Sequence, residues 1–333
     1  MDMYEQVARN QERTRNTFGS GALDYDKRNP QAHEAIRDLR AKADRGDAEA
    51  QFRLAEKYHF NADSDFLNHS SALELFSKSA IQGHSEALKQ LKRYAEKGSP
   101  DGDGNAEYCL GRTHQHGCGV LKDNVEAAKW MTKAAEAGHV EAQYILGVMY
   151  HKGRGVSKHP EEEAKWLCKA AYRGKQEAIE YLKKSAELGS VEAQYNLGYI
   201  YEACILTRLQ DDKESARWYA KAAEQNHAKA QLKLGGMYHS GKGVLKDPKE
   251  EAKWLRKAAR NSDESALILL QRSAEKGVTE AQYNLGFMYA KGEGVLKDMR
   301  RAKELLGQAY EKGDPEMKAA SKKVSDECEL WKY

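Results

Sequence analysis

The sequence predicts an all-α fold, an α-solenoid built from helix–turn–helix repeats. Two observations predict it: apolar residues recur with the period of an α-helix, and the same stretch of sequence returns several times along the chain. The clearest copy covers residues 142–174 and reads AQYILGVMYHKGRGVSKHPEEEAKWLCKAAYRG.

This copy has the pattern of two helices joined by a glycine turn. The first helix has one apolar face, formed by Ala142, Ile145, Leu146, Met149 and Tyr150. Gly153 and Gly155 end this helix, Pro160 suits the first turn of the next, and Gly174 ends the second helix. Because a single hairpin cannot bury its apolar face, each copy needs a neighbour on both sides.

Six full copies begin at an alanine that opens the first helix. These opening alanines are Ala50, Ala106, Ala142, Ala193, Ala230 and Ala281. A leucine follows each of them four places later, and a tyrosine follows eight places later in every copy except the second. We expect both side chains to point into the core. Four second helices carry a tryptophan at matching positions, namely Trp130, Trp166, Trp218 and Trp254.

Shorter units interrupt these copies, and each has the length of a single helix. They begin at Ala35, Ala87, Ala178 and Ala266. From Ala50, Ala142 and Ala230 the order is full, short, full, as if a five-helix block had been duplicated twice. One extra helix in each block breaks the alternation of helix directions, and we expect it to kink or over-twist the superhelix.

The shared pattern, AQYxLGxMYxxGxGVxKDxxEAxKWxxKAAExG, resembles the Sel1-like repeat, a relative of the tetratricopeptide repeats. The resemblance covers roughly residues 35–316. It implies a right-handed, tetratricopeptide-like superhelix that works by holding other proteins, with the first helices lining its concave face. The family has no shared catalytic residues, so the resemblance implies none here.

The chain divides into an N-terminal arm at 1–29, the repeat solenoid at 30–316 and a C-terminal capping helix at 317–333. Met317, Ala320, Val324, Cys328 and Trp331 are expected to form the apolar face of the capping helix. Two connections, 61–70 and 203–212, lack the glycine turn of the other copies. A specific function could have been added to the scaffold at either of them.

Composition argues against several classes of protein. The 54 basic and 51 acidic residues leave a net charge of +3, and glutamates interleave with the lysines of the second helices, so we expect no nucleic-acid partner. No apolar run approaches the ~18 residues that span a bilayer, so we expect no membrane association. The N-terminus has no apolar signal core and the five cysteines do not recur in register, which favours the cytoplasm.

The sequence carries no recognisable catalytic motif. GxSxG, HExxH, paired CxxC and phosphate-loop patterns are all missing, which predicts a non-enzymatic protein without a cofactor. The crowded residues Cys109, His114, His116 and Cys118 offer a zinc-site alternative. Their spacing matches no standard zinc finger, and we favour a structural role.

The candidate binding surface lies on the first helices, two, three, six and nine places after the opening alanine. It comprises Tyr108, Tyr144, His151, Tyr195, Asn196, Tyr199, His239, Tyr283, Asn284 and Phe287; Phe52 takes the same position in the first copy. Rigid aromatic rings beside amides suit a partner's side chains and backbone. The alternative is that some of these tyrosines pack between repeats. His59, His151 and His239 recur once per block, which fits duplication better than a shared ion.

The prediction is therefore an adaptor or scaffold, a monomer or part of a heterocomplex, that binds a protein or peptide in its concave groove. A dedicated inhibitor, such as an immunity-type protein that blocks one toxin or enzyme, is the alternative. A third hypothesis is an enzyme or nucleic-acid binder that uses the irregular connections at 61–70 or 203–212.

Overall fold

The computed structural model describes residues 30–60, 69–98, 102–203 and 210–333. Within these ranges the regular structure is seventeen α-helices and one 3-10 helix, without a strand. The helices are α1 (Pro30–Asp44), α2 (Ala48–Phe60), α3 (His69–Ile81), α4 (Ser85–Lys97), α5 (Asn105–His116), α6 (Asn124–Glu136), α7 (Val140–Lys152), α8 (Pro160–Tyr172), α9 (Gln176–Glu187), α10 (Val191–Ala203), α11 (Asp212–Glu224), α12 (Ala228–Ser240), α13 (Pro248–Arg260), α14 (Glu264–Glu275), α15 (Thr279–Lys291), α16 (Met299–Lys312) and α17 (Pro315–Glu327), followed by the 3-10 helix Leu330–Lys332. The all-α prediction is confirmed.

The chain forms two compact units, Met1–Lys158 and His159–Tyr333, and each is described separately below. The N-terminal arm at 1–29 and most of the irregular connections, 61–68 and 204–209, lie outside the described residues. Each short unit of the sequence forms one helix, namely α1, α4, α9 or α14.

The helix ends follow from local chemistry. Gly153 ends α7 with a left-handed backbone (φ 67°), and its N–H donates to the Met149 carbonyl. Pro160 is the first residue of α8, where its missing N–H costs nothing. On α13, the Asp247 side chain accepts hydrogen bonds from the N–H groups of Lys249 and Glu250. The turns predicted from glycine and proline therefore occur where expected, and the aspartate cap adds to them.

The core is made from the opening alanines and from leucines four places later, all of which are buried. The tyrosines reach the core only in part in most copies, although Tyr58 and Tyr238 pack against core clusters. Tyr58, Tyr150, Tyr201 and Tyr238 are half-buried, and only Tyr289 is buried. The residue one place earlier is buried instead in five copies, as Thr113, Met149, Ile200, Met237 and Met288. The tyrosine rings therefore lie at the edge of the core.

Where two full repeats follow each other directly, the glycine turn of the later repeat packs against the first residue of the second helix of the earlier repeat. A Cβ atom on Gly155 would lie 1.9 Å from the carbonyl oxygen of Asn124, the first residue of α6. In the second unit, a Cβ on Gly243 would lie 2.0 Å from the carbonyl oxygen of Asp212, the first residue of α11. Only glycine allows this approach of two backbones.

Where a short helix lies between two full repeats, the glycine turn of the later repeat packs instead against the last turn of the second helix of the earlier repeat. A Cβ on Gly119 would lie 2.8 Å from the carbonyl oxygen of Ala80, in the last turn of α3. A Cβ on Gly294 would lie 2.6 Å from that of Ala259, in the last turn of α13. One added helix makes the next first helix run parallel to the preceding second helix. The two also touch directly, as α3 with α5, α8 with α10 and α13 with α15.

The C-terminal helix is shorter than predicted. It begins at Pro315 and ends at Glu327, and Glu329 then adopts a left-handed backbone (φ 51°) that breaks the helical period. Leu330 therefore enters the core at 1% exposure, while Trp331 is 70% exposed. The expectation that Trp331 covers the core was wrong.

Candidate partner-binding surface

The predicted site residues form what we call the first-helix surface: Tyr108, Tyr144 and His151 in the first unit, and Tyr195, Asn196, Tyr199, His239, Tyr283, Asn284 and Phe287 in the second. Nine of them are half-buried, and His239 is exposed. Phe52, the equivalent residue of the first copy, is buried against Phe76 and belongs to the core instead. The surface therefore offers edges and faces of rings that other side chains of the chain hold in place.

Two of its tyrosines stack on histidines that cap the following first helix. The Tyr108 and His139 ring centroids are 4.2 Å apart, and those of Tyr195 and His227 are 4.5 Å apart. Nδ1 of His139 accepts the N–H of Ala142, and burial lowers the pKa of both histidines. Burial likewise raises the pKa of both tyrosines. Packing between repeats thus accounts for one face of each ring.

A half-buried carboxylate, that of Glu202, lies near Tyr195. The Tyr195 and Tyr219 ring centroids are 5.6 Å apart, and the Tyr219 hydroxyl donates to Glu202 over 2.7 Å. Lys233 Nζ donates to the same carboxylate over 2.8 Å. Burial alone would raise the pKa of Glu202, but the hydrogen bonds from Lys233 and Tyr219 outweigh it and lower that pKa. The network fixes the position of the α10 side of the surface.

On α15 the preceding second helix covers part of the surface. The Arg256 guanidinium lies 3.9 Å from the centroid of the Phe287 ring, and donates to Asn284 over 3.4 Å and to Glu293 over 3.3 Å. Similarly, Tyr172 of α8 stacks on Tyr199 of α10 with centroids 6.3 Å apart. Both contacts exist because a short helix brings a second helix alongside the next first helix.

Tyr144, Tyr283 and Asn284 line cavities. Tyr283 and Asn284 line a cavity of about 300 Å³ between α13, α15 and α17, together with Met317 and Ala320. Its rim carries Lys249, Lys253, Glu280, Asp314 and Glu316, and Lys249 pairs with Glu316 over 3.2 Å. In the first unit, Tyr144 lines a cavity of about 190 Å³ with Ile145, Val148 and Met149.

The histidines nine places after the opening alanine have separate surroundings. His239 Nδ1 lies 3.0 Å from the largely buried Glu251, whose other oxygen accepts from the Ser273 hydroxyl over 2.9 Å. His151 is half-buried on α7, and the side chain of His59 lies outside the described residues. These neighbours fit local structural roles.

The zinc alternative finds no support in the geometry. Burial raises the pKa of the Cys109 thiol to about 11, which disfavours the thiolate that zinc requires. Among the residues that the structure describes, no three His, Cys, Asp or Glu side chains are grouped so that they could hold a metal ion.

The lysines of the second helices are matched by glutamates and by tryptophan rings. Lys253 Nζ lies 2.7 Å from Glu250, and Lys257 Nζ lies 4.3 Å from the centroid of the Trp254 ring. The same arrangement surrounds Trp166. The row is thus internally compensated, and local pairing accounts for its charge.

A glutamine that follows five of the opening alanines was not among the predicted functional residues. Gln51, Gln143, Gln194, Gln231 and Gln282 are buried, and each donates to a carbonyl in the last turn of the helix before it. A recurring polar residue beside a buried alanine was the signal that could have identified this bond. This hydrogen bond links each of these first helices to the helix before it and satisfies a buried carbonyl.

A model of the Sel1 repeat matches residues 48–84, 104–139, 140–175, 173–190, 191–227, 228–263, 260–278 and 279–314, well over half of the chain. The chain belongs to the Sel1 repeat family. Six of these stretches each contain one of the six opening alanines, and the stretches at 173–190 and 260–278 contain the short units of α9 and α14.

This Sel1 repeat protein is similar to parts of longer proteins. It is 34% identical over 144 residues to chitin synthase regulatory factor 3 of Schizosaccharomyces pombe, across 43% of this chain and 14% of that protein. It is 32% identical over 136 residues to the chitin synthase regulator SKT5 of Malassezia restricta, across 40% of this chain and 8% of that protein. A crystal structure of a protective antigen of uropathogenic Escherichia coli with an SLR fold is 29% identical, across 88% of this chain and 67% of that chain, with a TM-score of 0.29.

None of the helices that the structure describes is both long and apolar enough to cross a membrane.

Proposed function

We propose that this Sel1 repeat protein is a non-catalytic adaptor that binds a protein or peptide on its first-helix surface. Family membership supports protein binding, and the names of the two fungal relatives describe regulators of another protein. Because this chain covers a small part of those relatives, chitin synthase itself is not proposed as the partner.

One observation carries the proposed location. The cavity beside Tyr283 and Asn284 combines an aromatic ring, an amide and the apolar side chain of Met317 with charged groups at its rim. Its volume of about 300 Å³ lies at the lower end of the range for ligand pockets, about 300–1,000 Å³. Such a depression suits one anchoring side chain of a peptide, while an amide such as Asn284 can hydrogen-bond its backbone.

The surroundings favour a rigid site. Arg256 holds Asn284 and Phe287, and α17 forms the far wall of the cavity. A partner therefore loses little affinity to ordering of the surface, since these side chains are already fixed. The rim carries both signs of charge, so the partner is expected to make ionic contacts at Asp314 and Glu280 around an apolar anchor.

Site-specific photo-crosslinking tests the location before the partner is known. A benzophenone amino acid at position 283 should capture a protein whose identity mass spectrometry can establish, and the same group at position 310 serves as the control. Tyr310 is an exposed tyrosine of α16 outside the surface. Capture at 310 but not at 283 would contradict the proposed site.

Affinity measurements with the captured protein then decide the matter. The double variant Tyr195→Ala, Tyr283→Ala should bind at least about tenfold more weakly, because removing anchor side chains typically costs more than ~1 kcal/mol each. Helicity should change little, and Tyr310→Ala should bind like the wild type. Unchanged affinity of the double variant would refute binding on this surface. A single tightly bound 1:1 partner would favour the inhibitor alternative over an adaptor.

A further inference from the structure

The last full repeat differs from the middle ones at a position that is buried in each of them. Four second helices place a tryptophan there, and each of these side chains is 8% exposed or less: Trp130, Trp166, Trp218 and Trp254. The sixth copy has Leu305 instead, seven residues after the capping residue Asp298, as Trp254 is seven residues after Asp247. The final repeat therefore lacks one indole ring.

The polar residues around this position change with it. In α13, Trp254 Nε1 donates to Glu250 over 2.9 Å, while Lys253 and Lys257 lie 5.4 and 4.3 Å from the centroid of its ring. The corresponding positions of α16, four before, one before and three after Leu305, hold Arg301, Glu304 and Gln308. The acid and both bases that surround the tryptophan are thus all replaced.

A cavity of about 760 Å³ lies at this place, between α14, α15 and α16. We call it the vacant slot and define it by Ala274, Gln282, Leu285, Tyr289, Arg301 and Leu305, which line it. In the first unit, Trp130 packs in one cluster with Ala95 and Leu110, which occupy the positions of Ala274 and Leu285. The residues that pack in one cluster with Trp130 in the first block therefore have counterparts around Leu305 in the last block, where no indole is present.

We propose that the vacant slot binds an aromatic side chain, specifically an indole, supplied by a protein partner. The internal copies show what fits between these walls, because four of them fill the place with their own tryptophan. Arg301 can cover an added ring as Lys257 covers Trp254, since its guanidinium already lies 5.5 Å from the centroid of the Tyr289 ring. The Glu304 carboxylate and the Tyr289 hydroxyl at the slot can accept the indole N–H.

This slot is separate from the first-helix surface. The slot residues of α15 follow the opening Ala281 by one, four and eight places, and the surface residues follow it by two, three and six. At about 100° per residue these two sets point to opposite sides of the helix. Loss of binding at one therefore does not predict loss at the other, and the two proposals can fail separately.

The test uses N-acetyl-tryptophanamide as the probe and the full chain with labelled leucine methyl groups. Titration of the wild type should give saturable chemical-shift changes at Leu285 and Leu305, with a dissociation constant in the millimolar range. N-acetyl-leucinamide at the same concentrations should give less than a tenth of the change. No saturable response, or an equal response to both probes, would overturn the proposal regardless of any variant.

Two substitutions test the comparison between repeats. Leu305→Trp should fill the slot and weaken the probe response at Leu285 at least tenfold, while Trp254→Leu should create a new response at Leu234, which packs in one cluster with Trp254. A full response in folded Leu305→Trp, or none at Leu234 in folded Trp254→Leu, would contradict the proposal. A concentration-dependent dimer of the wild type that Leu305→Trp abolishes would assign the slot to a second copy of the chain, and the partner assignment would be wrong.

Discussion

Two glycines in one turn give a direct measure of how tightly successive repeats are joined. Gly241 and Gly243 have nearly the same left-handed backbone, with φ of 76° and 72°. A Cβ on Gly241 would meet only the flexible side chain of Lys246 at 2.9 Å, whereas one on Gly243 would lie 2.0 Å from the Asp212 carbonyl oxygen. Alanine at either position bears the same conformational cost, and only Gly243→Ala also pushes α11 away.

The expected magnitudes follow from these distances. The left-handed conformation costs a residue with a Cβ about 1–2 kcal/mol, so Gly241→Ala should lower the free energy of unfolding by that amount. In Gly243→Ala the backbones must separate by more than 1 Å to restore an ordinary contact, which is beyond what a side-chain shift provides. Forced repacking of this kind adds about 1–3 kcal/mol, for a total of about 2–5 kcal/mol.

Urea unfolding of the wild type and both variants measures the difference. Far-UV circular dichroism and tryptophan fluorescence should be followed together, because long repeat arrays can lose two-state behaviour. Trp218 and Trp254 lie on the two second helices around this joint and report on it. If the two variants are destabilised equally, to within about 0.5 kcal/mol, the turn at Gly243 does not pack against α11. The packing described here for two full repeats that follow each other directly would then be wrong.

Three further predictions concern other parts of the chain. Leu146→Ala should lower the free energy of unfolding by about 2–4 kcal/mol in urea titration, because Leu146 is fully buried, and a loss below about 0.5 kcal/mol would contradict its assignment to the core. Burial lowers the pKa of His139 and His227, so the unfolded chain binds more protons; their contribution is complete above pH ~6.5 and is lost as the pH falls below it. His139→Asn, His227→Asn, which keeps capping side chains that do not titrate, should show a shallower loss of stability between pH 7 and pH 5, and an unchanged slope would refute the cap. Cys109, whose pKa is about 11, should react with iodoacetamide at pH 8 far more slowly than the partly exposed Cys118, as peptide mass spectrometry can measure.

The helices were predictable because their ends depend on neighbours in the sequence. Gly153, Pro160 and Asp247 each act through their own backbone or within three residues, so a single copy of the repeat is enough to locate them. The histidine caps could also have been found, since His139 and His227 both stand three residues before an opening alanine. The predicted histidines instead stand nine residues after the opening alanine, where the helix ends.

The candidate site was less predictable because it depends on contacts between helices. Counting helices explains why α13 runs parallel to α15, but periodicity does not give the position at which they cross. The contact of Arg256 with Phe287 therefore could not be expected from either helix alone. Similarly, tyrosines eight places after the opening alanine were assigned to the core because a helical face is wide, and only the packed structure places the residue before them innermost.

Comparing the repeats with one another distinguishes residues needed for stacking from candidate binding residues better than solvent exposure does. A residue that recurs in most copies, such as the buried glutamine after five of the six opening alanines, has a partner in the neighbouring helix and is explained by stacking. A position that departs from the middle copies and leaves a cavity beside it is left without that explanation. Leu305 is such a position: the alanine and leucine walls persist, the indole is missing, and a cavity remains. Leucine also takes this position in the first full copy, as Leu75, so its presence alone does not require a partner. The cavity of about 760 Å³ beside Leu305, with Arg301, Glu304 and Gln308 in place of the glutamate and lysines, is what supports an external ring.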